Sequence, residues 1–166
     1  MPEDHLFDDV LAANADYAAA FEDGTLQARA ARGLAVITCI DSRISPLELL
    51  GLEAGDAAIF RNAGARVTDS VLNSLVLSRY LLGVERTMVI AHTDCRVATA
   101  SEDELHAAVE RAGGPDTRDV SFPVTTDQES ALAEDVERIR SSPHLAGLPV
   151  AGFVYDVHTG RLERRV

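Results

Sequence analysis

Leu34-Ala35-Val36-Ile37-Thr38-Cys39-Ile40 is a continuous, almost wholly apolar run, and it passes directly into Asp41-Ser42-Arg43. A run this short, without alternation of polar and apolar residues, has the pattern of a strand buried on both faces. Such strands belong to parallel sheets covered by helices. Asp41 to Ser45 then reads as a loop, and Pro46 suits the first turn of a helix over Pro46–Leu50.

The same pattern recurs outward from this stretch. Ala57–Phe60 and Thr87–Ala91 are two more short apolar runs, and Val150–Val157 is a fourth. Helical patterns lie between them: Asp69 to Leu82, capped by Thr68 or Asp69 and stopped at Gly83; Glu102 to Ala112 behind the capping box Ser101-x-x-Glu104; and Asp127 to Ser141. His158-Thr-Gly160 turns the chain toward a short edge at Arg161–Val166. Strands alternating with helices imply an α/β fold, a mostly parallel sheet of four to five strands flanked by helices. One domain over 1–166 is expected, with residues 1–32 as an N-terminal helix and linker and 33–166 as the core. The first helix, Leu6 to Phe21, carries only a weak, Ala-rich apolar stripe. It is expected to lie on a partner subunit, giving a homodimer or a higher homo-oligomer.

The 166 residues are 46% hydrophobic and 25% charged, with a formal net charge of −12. That composition fits a globular domain. The negative charge argues against nucleic acid and anionic membrane surfaces as partners. No apolar stretch approaches the roughly 20 residues of a spanning helix. The acidic start Met1-Pro-Glu-Asp4 lacks the basic and apolar regions of a signal peptide, so a cytoplasmic location is expected.

The chain has two cysteines. In a reducing compartment such a pair is more often metal-binding or catalytic than a disulfide. Cys39 stands at the end of the first strand, His92 and Cys95 at the end of the third. If those strands are neighbours, two thiols and an imidazole converge where α/β sheets gather functional groups. That donor set suits Zn2+ with a fourth position left open, as in catalytic sites. The competing reading makes both cysteines small buried hydrophobes and His92 a hydrogen-bonded core residue. The polar neighbours Asp41-Ser42-Arg43 and Thr93-Asp94 count against it. His5, His106, His144 and His158 read as solvated helix or turn residues.

Cys39-Ile-Asp-Ser-Arg43, followed about fifty residues later by His92-Thr-Asp-Cys95, resembles the signature of the β-class carbonic anhydrases. Arg61-Asn-Ala-Gly64, Asn14-x-x-Tyr17-x-x-x-Phe21 and Gly152-Phe-Val-Tyr-Asp156 resemble segments of the small prokaryotic members, so the likeness spans nearly the whole chain. It implies one zinc ion per chain on Cys39, His92 and Cys95. Asp41 and Arg43 become a catalytic dyad, and Ala63 and Gly64 line the substrate pocket. The implied reaction is reversible hydration of carbon dioxide to bicarbonate and a proton by zinc-bound hydroxide. Asp41 has two alternatives: held by Arg43, or moved onto zinc as a fourth ligand in a closed state. The family has Gly after the second cysteine, whereas this chain has Arg96, which would narrow the pocket, pair with Asp94 or point outward. Two other readings share these ligands: a hydrolase of carbonyl sulfide or carbon disulfide, and a catalytically silent zinc-binding homologue. A redox role is disfavoured, because the cysteines do not form a Cys-x-x-Cys pair.

Overall fold

The computed structural model describes residues 5–22 and 24–166; the acidic start, Met1–Asp4, lies outside them. Five strands form one sheet: β1 (Leu34–Cys39), β2 (Ala57–Asn62), β3 (Arg86–His92), β4 (Val150–Tyr155) and β5 (Leu162–Arg164). Their order is β2-β1-β3-β4-β5. The first four run parallel, and β5 returns antiparallel to β4. The expected α/β architecture is therefore present, with the mixed edge supplied by a tight turn. In that turn Asp156 N–H donates to the Arg161 carbonyl, and Gly160 takes a φ of 71°.

Every residue of β1 is buried, as its unbroken apolar run requires. One face of the sheet packs Ala35, Ile37, Val89 and Ala91 against α3 (Asp69–Leu81) and α5 (Gln128–Arg140), through Val71 and Leu75 of α3 and Leu132, Val136 and Ile139 of α5. The other face, with Leu34, Val36 and Ile90, receives Leu50 and Leu52 from the end of α2 (Pro46–Leu50) and just beyond it. Helix α3 is capped by Thr68, whose hydroxyl accepts from Val71 N–H. α4 (Glu102–Arg111) starts from the expected capping box at Ser101 and Glu104, and α5 from Asp127.

Several boundaries differ from the sequence reading. β2 continues through Arg61 and Asn62, because its ladder with β1 extends to the Cys39–Asn62 pair. β4 ends at Tyr155, since Asp156 and Val157 belong to the turn. The first helix, α1, covers Asp8–Ala19 and buries none of its residues. His106 departs from its reading as a solvated residue: it is 9% exposed, bonds Thr117 Oγ1 through Nδ1, and stacks near Phe122. No helix among the described residues is long and apolar enough to cross a membrane.

Candidate metal centre

Cys39 closes β1 and His92 closes β3, and these strands are direct neighbours in the sheet. Cys95 follows His92 by three residues. The chain returns it to the strand ends through Asp94, which adopts a φ of 53°. Asp is among the side chains that tolerate this left-handed region. All three residues are almost wholly buried, and one ligand atom from each lies within 4.8 Å of the others. The two sulfurs are 4.0 Å apart. Ile44, Ala65 and Ala98 pack with the two cysteines.

The hydrogen bonds around the cluster leave its donor atoms turned inward. His92 Nδ1 is 2.8 Å from the Thr93 carbonyl, which makes it the protonated nitrogen. Nε2 is then a lone-pair donor, and it is buried without a hydrogen-bond partner. An orphaned imidazole nitrogen beside two sulfurs is what a metal ion would satisfy. The two thiols lie within hydrogen-bond reach of each other. The hydrogen bond from Cys95 pushes Cys39 well below the usual thiol range, helped by His92 and by the N–H groups of Asp41 and Gly64. The same bond, followed by burial, pushes Cys95 up. A dication held among these atoms would have both sulfurs as thiolates. Burial alone would lower the His92 imidazole; the Cys39 sulfur and the Thr93 carbonyl outweigh it and raise it.

Asp41 lies at the rim of this cluster, with Oδ2 3.9 Å from His92 Nε2. Arg43 holds it in a two-pronged grip: Nε to Oδ1 at 3.0 Å and Nη2 to Oδ2 at 2.8 Å, with the Arg43 backbone N–H on Oδ1 at 2.9 Å. These bonds, the side-chain ones first, hold the Asp41 carboxyl well below the usual carboxylate range. Arg61 fixes the loop from beneath, donating to the carbonyls of Cys39 and Asp41. Gly64, with a φ of 77°, sits in the 3₁₀ turn Ala63–Ala65 directly after β2. Ala63 and Gly64 are half-buried there, next to the Cys39 end of β1.

The structure brings Cys39, His92 and Cys95 together at one end of the sheet, with Asp41, Arg43, Ala63 and Gly64 beside them. Arg96 is exposed, and Asp94 pairs with His158 instead of with Arg96. Two supporting residues were not legible. Gln128 donates to the His92 carbonyl from the start of α5, and His158 reaches Asp94 from the β4–β5 turn. Neither stands in a motif, and each lies tens of residues from its partner, so spacing carries no signal for them.

The sequence profile of the carbonic anhydrase family matches residues 34–162. Beta-carbonic anhydrase 1 of Mycobacterium tuberculosis is 35% identical over 159 residues, covering 94% of this chain and 95% of that relative. A carbon disulfide hydrolase of Acidithiobacillus thiooxidans is 28% identical over 152 residues, covering 80% of this chain and 76% of its own length. Among solved structures, the carbonic anhydrase of Streptococcus mutans superposes with a TM-score of 0.86 at 37% identity, covering 95% of this chain and 96% of that one. With these likenesses running through the sheet and the Cys-His-Cys cluster at its end, the chain belongs to the β-carbonic anhydrase family.

Proposed function

We propose that this chain hydrates carbon dioxide reversibly to bicarbonate and a proton at a zinc ion held by Cys39, His92 and Cys95. The observation that carries the reading is the buried, partnerless His92 Nε2 facing two thiols, with a carboxylate fixed alongside. The dimensions suit zinc. Sulfurs about 2.3 Å from a tetrahedral ion stand roughly 3.8 Å apart, and the observed separation is 4.0 Å. When bound, zinc acts as a Lewis acid that brings the pKa of a water toward about 7 and so supplies a nucleophile near neutral pH.

The chain's own residues do the rest. Asp41 stays ionised in the grip of Arg43, so it only accepts hydrogen bonds. It takes one from the attacking water and turns the lone pair toward the carbon of carbon dioxide. The bonds from Arg43 to Oδ1 and Oδ2 favour the open arrangement, with Asp41 clear of the ligand cluster. Ala63 and Gly64 form the wall beside Cys39 against which the small substrate sits. Ile44, Ala65 and Ala98 exclude bulk water from the sulfurs.

Residues 33–166 serve as the catalytic core, and 1–32 as an arm for assembly into a homodimer or a larger homo-oligomer. Phe7, Val10, Leu11 and Tyr17 are each more than half exposed on or beside α1, which suits a helix that packs on a second copy. Two free, buried cysteines suit a reducing cytoplasm.

The test is stopped-flow carbon dioxide hydration, with zinc measured on the same sample and Cys39→Ser as control. One zinc per chain and turnover that rises toward alkaline pH support the reading. Full zinc without hydration would overturn it, and carbon disulfide and carbonyl sulfide would then be assayed.

A further inference from the structure

We infer that His158 is a positioning residue for the proposed reaction, holding Arg43 through Asp94 so that Asp41 stays clear of the metal position. The inference rests on the function proposed above. It is carried by a line of contacts from the surface to the cluster. His158 Nε2 lies 2.5 Å from Asp94 Oδ2. The Asp94 carbonyl accepts from Arg43 Nη2 at 3.2 Å. That same Nη2 donates to Asp41 Oδ2 at 2.8 Å, and this oxygen is the one 3.9 Å from His92 Nε2.

Asp94 is the pivot. Its left-handed backbone aims the carbonyl at Arg43 while the side chain points to His158. A non-glycine residue keeps such a conformation where its surroundings hold it, and here both of its ends are held. His158 is presented by a turn that is itself tied to the ligand loop. Thr93 N–H donates to the Tyr155 carbonyl, Val157 N–H donates to Thr93 Oγ1, and His158 N–H donates to Asp156 Oδ1. The imidazole therefore has a fixed base from which to hold Asp94. Without it, the Asp94 side chain no longer braces its peptide, and the carbonyl is held less firmly against Arg43 Nη2. The Arg43 grip on Asp41 then rests on the dyad alone. Asp41 spends more time on the metal position, and the fraction of open sites falls.

The experiment uses the full chain, zinc-loaded for kinetics and Co2+-substituted for spectroscopy, with His158→Ala and His158→Gln. Azide is titrated into the cobalt protein and followed in its visible bands, because azide requires an open fourth position. For His158→Ala the azide dissociation constant should rise and kcat/KM for hydration should fall, each about fivefold, the scale a single hydrogen bond supports. Metal content and melting temperature should stay unchanged. His158→Gln, whose amide N–H still reaches Asp94, should restore both. Azide affinity and kcat/KM in His158→Ala equal to those of the unsubstituted protein would overturn the inference, as would a glutamine variant as impaired as the alanine one. If the unsubstituted protein binds azide but hydrates no carbon dioxide, the proposed function fails while the azide comparison still decides the role of His158.

Discussion

Asp41 has three hydrogen bonds from one residue, and that concentration explains how a carboxylate can sit 3.9 Å from an imidazole ligand without joining the cluster. Arg43 provides a planar fork that matches both oxygens, which a lysine would not. Removing the carboxylate should therefore separate metal binding from chemistry. Asp41→Ala is expected to retain zinc, because Cys39, His92 and Cys95 remain, and to lose roughly a hundredfold or more in kcat. Metal analysis beside stopped-flow kinetics checks this; loss of zinc would show that Asp41 serves as a needed ligand. His92 is set in a similar way by a single neighbour: the Thr93 carbonyl occupies Nδ1 and leaves Nε2 without a hydrogen-bond partner.

Helix α5 connects the site to the core, since Gln128 at its start bonds the His92 carbonyl and Leu132 and Val136 pack on β4. The packing is close at Gly152, where an added Cβ would lie 3.0 Å from Leu132 Cγ and 3.1 Å from Val136 Cγ2. Both neighbours are buried and have little room to move. Gly152→Ala is expected to destabilise the fold by about 1–2 kcal/mol, read as a lowered urea midpoint. The start of α5 also gives a pH dependence. Ser130, through its hydroxyl and then its N–H, lowers the Asp127 carboxyl below its ordinary value. A folded-state value below the unfolded one means stability that is fully present above about pH 4 and is lost as pH falls through the folded value. The melting temperature should hold steady from neutral pH to about 4 and then decline. Asp127→Asn, which caps without titrating, should decline less steeply; an identical slope would contradict the assignment.

At the scale of the whole molecule, the unmatched feature is α1. It buries no residue, yet Leu11 is 64% and Phe7 66% exposed. An isolated helix of 12 residues is marginal in water without packing, so a second copy of the chain is the surface that would hold it. Light scattering at micromolar concentration should give at least a dimer mass, and Leu11→Glu should shift it toward the monomer. A monomeric unsubstituted protein would remove the assembly proposal and leave the metal centre untouched.

Cys39, His92 and Cys95 were legible as candidate ligands because they stand at or just beyond the ends of apolar runs, whereas Asp41 and Arg43 drew their role only from the family resemblance. Strand and helix identities followed from the same local pattern of apolar residues, caps and glycines. The sequence by itself thus determined the α/β class and named Cys39, His92 and Cys95 as candidate ligands at the strand ends. Strand order was another matter. Whether β1 sits beside β3 depends on how the crossovers pack, and without that adjacency Cys39 would not meet His92. Only the tertiary structure decided it. The same holds for the position of Asp41 in the grip of Arg43, for the exposure of Arg96, and for the contact of His158 with Asp94. Each depends on a side-chain direction or on surfaces brought together from distant parts of the chain, which local sequence pattern does not encode.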